Sequence, residues 1–376
     1  MLFVVDNDFG ALGTVMYLLH GQPLAQRSTL LLPSAAHALH GALAVASRPY
    51  ASLGDILQVV EAESPAAVVL CSGYLLASQG LLTLREVRSL VRELRRRGCA
   101  VATSDPFLGT YRRVAQAKVP SKSGGILEAA AGLWPNGAAF LHAMRVRRHV
   151  HEVAGVMEGL AHLYPVQAPQ APAGPRRISF FNARYFGRPR AASREWLFVL
   201  AKFDFEYQQA AHGRQRFIEL VAAKLREALS QGRRATFIGP AAAVEALRAH
   251  FGPEPGVTLL PACPFAEFER RLLDAQAAFY WQVFSTSTFL RLWNGLPVFF
   301  FDAGHASRLL RPMYDAGIAS DYMGRPPAML DIAQPLDAGT LMARSGEFAD
   351  IANAALARLK ALPAPEEAIR EIVRSG

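Results

Sequence analysis

Three stretches of this 376-residue chain concentrate side chains able to do chemistry. The first is "VVDNDFGALG" at 4–13, where an apolar run reaches Asp6, Asn7 and Asp8 and then Gly10 and Gly13. Two carboxylates at a strand end could bind a metal ion, supply a phosphatase nucleophile or serve as a general base. The plain alternative is a tight turn that caps a helix beginning near Thr14. The second stretch is "FSTSTF" at 284–289. Ser285, Thr286, Ser287 and Thr288 bring four hydroxyls and several N–H groups to a helix start, where the dipole favours an anion. There the plain alternative is a single capping serine. The third is "FNARYFGRPR" at 181–190, with Arg184, Arg188 and Arg190 around Gly187. A guanidinium pairs bidentately with phosphate oxygens, and an exposed basic turn is the competing reading.

Short β-rich runs alternating with helical stretches must position these groups, which predicts parallel α/β units. Strands are expected at 2–6, 28–32, 67–71 and 100–104, with helices near 11–21, 53–62 and 83–97 between them. A less regular helical region spans about 125–163. "PVQAPQAPAGPRR" (165–177) is rich in Pro and Ala without hydrophobic periodicity and reads as an interdomain linker. After it the pattern restarts, with strands at 177–181, 235–239, 257–260, 277–281 and 297–301. Helices fill the gaps and finish the chain. This gives an N-terminal domain 1–164, a linker 165–176 and a C-terminal domain 177–376, two doubly wound Rossmann-like domains facing a cleft. Ligands of such sheets bind beyond the carboxyl ends of the strands. That adds Gly239 after "ATFIG", Asp302 and His305 after "PVFFF", and Asp105 after "AVATS" to the candidates. For Asp105 a turn role before Pro106 is the simpler reading, and for Asp302 a helix cap.

Composition narrows the classes. Hydrophobic residues make up 51% and charged residues 19% of the chain, as in a packed globular protein. No apolar stretch approaches the roughly 20 residues that span a bilayer. The first strand opens at Leu2, which leaves no room for a basic leader. Three cysteines, Cys71, Cys99 and Cys263, are widely spaced without a CxxC pair. They predict buried thiols in a reducing cytoplasm and no zinc site. The net charge of +9 asks for an acidic partner. Its basic residues are dispersed, as on "LREVRSLVRELRRRG" (84–98), where Leu84, Val87, Leu90, Val91 and Leu94 form the apolar stripe and arginines the solvated face. Docking on anionic lipid is the alternative for that helix and for "RVRRHVH" (145–151). No zinc-finger or RRM signature supports nucleic acid.

The order strand, loop, helix, strand, hydroxyl-rich loop, helix, Gly295–Leu296–Pro297, strand, Asp302, His305 over 259–305 resembles the donor domain of GT-B glycosyltransferases. The likeness covers 177–316. It implies that the "FSTSTF" loop and helix start hold a nucleotide diphosphate, and that Asp302 and His305 contact the donor. It further implies that Gly239 lines the base pocket and that Arg184 or Arg188 meets the diphosphate in place of a metal ion. In the same superfamily the first loop of the N-domain faces the acceptor, which makes Asp6 or Asp8 the base and Asn7, Gly10, Gly13 and Asp105 neighbours of the acceptor. "VVDNDFGALG" is also loosely similar to the "VVDNYGDIG" loop of bacterial protein-arginine rhamnosyltransferases, whose second aspartate falls at Ala11 here. Retaining GT-B enzymes often carry two glutamates eight positions apart in the donor domain. Between Arg270 and Gly346 this chain has none, which favours inversion.

The sequence therefore predicts a cytoplasmic GT-B-like glycosyltransferase that uses a nucleotide-sugar, with no metal and no other cofactor. Its acceptor would be acidic or adjacent to the inner membrane, as in surface-glycan or protein glycosylation. A nucleotide-sugar epimerase on the same fold and a non-catalytic nucleotide-sugar-binding partner of a glycan-assembly complex are the alternatives.

Overall fold

The computed structural model describes residues 1–6, 9–41, 43–77, 81–116, 137–168, 175–186, 193–304, 306–325, 327 and 329–375. They form two compact units. The first comprises the described residues within Met1–Gln116, Arg145–Arg188 and Leu356–Gly376, the second those within Ala117–Met144 and Pro189–Ala355.

The first unit is built on a seven-stranded sheet of order β3-β2-β1-β4-β5-β6-β7. Its strands are β1 (Leu2–Val4), β2 (Thr29–Pro33), β3 (Ala46–Tyr50), β4 (Ala67–Leu70), β5 (Ala100–Ser104), β6 (Ala161–Tyr164) and β7 (Arg177–Ser179). All the pairings are parallel. Parallel strands are covered on both faces, so the central ones are continuous apolar runs. Phe3, set between Leu30 and Val69, is fully buried with both neighbours. The polar strand β3 "ASRPY" lies at the edge, where Pro49 breaks no central ladder. The helices Leu53–Glu63 and Leu84–Arg96 start on reciprocal caps, Ser52 with Asp55 and Thr83 with Glu86. On the second helix Val87, Leu90, Val91 and Leu94 are buried while its arginines remain exposed. Arg96 pairs with Glu93 at 2.8 Å, and Arg88 and Arg95 donate to Glu152 O and Gly159 O at 3.2 and 2.6 Å. This is the solvated face that the pattern predicts.

β6 and β7 are adjacent strands of one sheet. The stretch 165–176 therefore connects two strands of the first unit, where its composition suggested a boundary between domains. "RISFF" closes the first sheet instead of opening the second. The C-terminal helix Pro365–Ser375 also belongs to the first unit and packs on β5 and β7. The backbone of Phe181 donates to Pro363 O at 2.9 Å beside it.

The second unit carries a five-stranded parallel sheet of order β10-β9-β8-β11-β12. Its strands are β8 (Glu195–Val199), β9 (Arg234–Ile238), β10 (Val257–Leu260), β11 (Ala277–Tyr280) and β12 (Val298–Phe300). β8 lies at its centre and holds Trp196 and Phe198 fully buried. Phe198 stacks on Phe279 with ring centroids 4.7 Å apart, and Phe279 on Phe299 at 5.5 Å. Such aromatic ladders contribute beyond the area that they bury. All three cysteines are buried thiols. Among the described residues no helix is long and apolar enough to cross a membrane.

Candidate functional site

In the second sheet the chain runs outward from β8 through β9 to β10 and then crosses back to β11 on the other side of β8, so the switch point lies between β8 and β11. Ligands of open parallel sheets bind beyond the carboxyl ends of the strands at such a point. The loop after β11 runs into the helix Thr286–Trp293, whose N-cap is Ser285. Ser285 Oγ accepts the Ser287 N–H at 3.2 Å, and Thr288 Oγ1 accepts the Ser285 N–H at 3.3 Å. The four hydroxyls divide by direction. Thr288 is fully buried and donates to Val283 O or Ser285 O, and the buried Ser287 Oγ accepts from Tyr280 OH at 3.0 Å. Ser285 and Thr286 are half-buried at the helix start. Ser285, Ser287 and Thr288 thus build the turn, Ser285 Oγ also meeting Ser287 Oγ at 2.7 Å, and the half-buried Ser285 and Thr286 stand at its positive end.

Two residues past the neighbouring strand β12 comes Asp302, which is half-buried. Its Oδ1 accepts the Gly304 N–H at 3.0 Å, and its Oδ2 accepts Gln208 Nε2 at 2.8 Å. Gln208 comes from the helix Lys202–His212 that follows β8. Asp204, one turn earlier on that helix, is fully buried beside Gly304. With its amide nitrogen turned toward them, Gln282 donates to Asp204 Oδ2 at 3.2 Å and to Phe284 O at 3.0 Å. Asp204 and Gln208 carried no sequence signal, because polar residues on an amphipathic helix read as its solvent face, and Gln282 is a lone polar residue in the loop after β11. Gly239 follows β9 against the Phe237 ring, which a Cβ there would meet at 2.6 Å. Close packing is thus sufficient reason for a glycine at that position.

In the first unit Asp6 lies buried at the carboxyl end of β1. Burial first, and the Asp6 charge second, push the Tyr50 phenol and the Cys71 thiol well upward. Gly10 and Gly13 lie inside the helix Phe9–Leu19, one turn earlier than the expected start, so neither belongs to a loop. Asn7 and Asp8 lie outside the described residues, as do Arg188, Arg190 and His305.

Asp105 is buried and committed to its own turn. It accepts from Phe107 N at 2.8 Å, from Gly109 N at 2.6 Å and from Tyr164 OH at 2.8 Å. Burial raises its carboxyl pKa against the pull of those donors. His162, fully buried nearby, meets Tyr74 OH through Nε2 at 2.9 Å and Leu160 O through Nδ1 at 3.0 Å. Burial lowers its pKa, which fits a neutral ring donating to the carbonyl.

Arg184 lies in the first unit, and its Nη1 donates to Gly21 O just past the helix Phe9–Leu19. The guanidinium is thus engaged at that unit's own first helix end.

No family model and no curated protein matches the chain. Solved structures do. A UDP-glucose:anthocyanidin 3-O-glucosyltransferase in complex with UDP superposes with a TM-score of 0.56 at 9% identity, over 100% of this chain and 99% of that one. Os79 from O. sativa in complex with UDP superposes with a TM-score of 0.52 at 13% identity, over 100% of both chains. This is the GT-B fold. The GT-B likeness rests on two parallel-sheet Rossmann-like units, as the resemblance of the donor half implied. At these identities it is a likeness of fold alone.

Proposed function

We propose that this GT-B protein is a glycosyltransferase that takes its sugar from a nucleotide-sugar held by the second unit. One observation carries the reading. The capped start of the helix Thr286–Trp293 and the Asp302 loop leave the sheet from neighbouring strands, β11 and β12, at their carboxyl ends. An anion receiver thus stands beside a carboxylate able to accept hydroxyl protons, which is the pairing that a sugar diphosphate needs. The UDP bound by the two fold neighbours supports a nucleoside diphosphate as the leaving group.

In this reading the Ser285 and Thr286 end of the helix receives the diphosphate. Preorganised N–H and O–H donors then stabilise the charge that grows as the anomeric C–O bond breaks. Asp302 and His305 read donor hydroxyls, and Gly239 lets the end of β9 stay narrow. Asp6 or Asp8 takes the proton of the attacking acceptor. Direct displacement with inversion follows from the single attack, and the phosphate charge is met by the helix start without a cation.

Release of free UDP from UDP-glucose, or of the corresponding diphosphate from GDP- and TDP-sugars, tests the reading. Glycosyltransferases hydrolyse their donors slowly when water replaces the acceptor. Asp6→Asn is expected to keep nucleotide binding and lose that turnover, and unchanged turnover would move the base to Asp8. Wild-type protein that releases no diphosphate from any of them, at any concentration, would count against the reading.

A further inference from the structure

The helix Lys202–His212 turns two polar side chains into the core one turn apart, Asp204 at 0% and Gln208 at 2% exposure. Residues four apart share a helix face, so both point at the same neighbours. Phe205 and Tyr207 are buried on the same helix. An apolar residue would fill position 208 without the cost of desolvating an amide. Gln208 instead spends its donor on one atom, Asp302 Oδ2, at 2.8 Å.

We infer that Gln208 is a positioning residue that fixes the Asp302 carboxylate for the hydroxyls of the donor's sugar. The inference rests on the donor reading above and names the group that makes Asp302 selective. A carboxylate offers about four acceptor sites. Gln208 Nε2 and the Gly304 N–H fill one on each oxygen, and both bonds set the plane of the group. The remaining acceptor sites belong to a half-buried side chain just past a strand end, and they suit O–H donors. The turn that follows admits only glycine. Gly304 sits at φ +80°, and a Cβ there would come within 2.7 Å of Gln282 Cβ and 3.0 Å of Asp204 Oδ1. The carboxylate is thus tied on one oxygen to the helix after β8 and on the other to its own turn. The class of ligand is a pair of adjacent sugar hydroxyls, separate from the diphosphate at Ser285.

Comparing the affinities of UDP and UDP-glucose, and of the GDP and TDP pairs, in wild type and Gln208→Met tests this. Methionine keeps the length and removes the donor. The variant is expected to hold the bare diphosphate within about twofold and to lose roughly tenfold for the nucleotide-sugar, the scale of one hydrogen bond to a charged group. Combined with Asp302→Asn, Gln208→Met is expected to add nothing further. Equal weakening of both ligands, or of neither, would overturn the inference while leaving the donor reading intact. Wild-type protein that binds no member of any pair would overturn both. If Gln208→Met does not fold, Gln208→Asn withdraws the amide by one methylene and carries the same comparison.

Discussion

Asn182 and Tyr17 are joined twice: the Asn182 N–H donates to Tyr17 OH at 2.8 Å, and Asn182 Nδ2 donates to Tyr17 O at 2.7 Å. The same amide nitrogen reaches His20 O at 2.8 Å, while Gln22 Nε2 and Arg184 N donate to Asn182 Oδ1 at 2.8 and 3.1 Å. One fully buried side chain thereby satisfies the end of the first helix from the turn after β7. Asn182→Ala is expected to cost about 3 kcal/mol of unfolding free energy, because it strands several buried groups at once. Chemical denaturation measures it, and a loss below about 1 kcal/mol would contradict this account of the turn.

The second unit depends on a comparable device. Arg291 is fully buried and donates to Pro297 O through Nη2 at 2.8 Å and to Ala275 O through Nη1 at 3.1 Å, with Leu272 O also bonded. It closes the end of the helix Phe265–Asp274 and the entry to β12. Arg291→Met should lower stability by about 3 kcal/mol, since three carbonyls each lose a donor and only Pro297 O keeps another, the Ala278 N–H. A melting temperature within a degree of wild type would show that they find other partners.

Ser285 and Thr288 separate the binding and structural roles of the hydroxyl run. Ser285→Ala removes an N-cap, worth about 1 kcal/mol of stability, and should weaken UDP binding roughly tenfold. Thr288→Val touches a buried hydroxyl turned into the turn. It is expected to cost stability with affinity for UDP nearly unchanged at temperatures where it is folded. Calorimetric titration of both variants checks the contrast, and the reverse ranking would refute it.

Asp321 predicts a pH dependence. Burial pushes its carboxyl up to about 7, against the Ser320 hydroxyl bond at 2.7 Å. A folded-state pKa above the unfolded value means that the stability linked to this proton is complete below the unfolded pKa. It is lost as pH rises through about 7. Asp321→Asn should therefore stabilise the protein more at pH 8 than at pH 5, by a margin on the order of 2–3 kcal/mol. Equal gains at the two pH values, read from thermal melts, would contradict it.

Much of this fold is legible in the sequence where burial is two-sided. "LFVVD", "AVVLC", "AVATS", "AAFYW" and "PVFFF" are continuous apolar runs, and each becomes a strand within a residue or two of its predicted bounds. The polar edge strand "ASRPY" and the short β6 "AHLY" lack that signal, and they pair only because neighbours in space supply the ladder. The central strand β8 "EWLFV" was overshadowed by "RISFF", which follows a Pro-rich stretch and resembles a new beginning. Which sheet a strand joins is a long-range choice that local composition does not hold. The same limit governs the candidate site. A cap such as Ser285 is written within four residues, whereas the meeting of Gln208 with Asp302 spans 94 positions. The bond of Arg184 to Gly21 O spans 163 positions and is equally absent from the local pattern.

The central claim, that the second unit holds a nucleotide-sugar, is tested most directly by thermal shift against UDP, GDP, TDP, ADP and CMP compounds and their sugars. A specific ligand present at 100 times its dissociation constant adds about 2.7 kcal/mol to the folded state. One base is predicted to raise the melting temperature in a saturable way, with the shift reduced in Ser285→Ala. Silence across the whole panel for a folded wild-type protein would contradict the account.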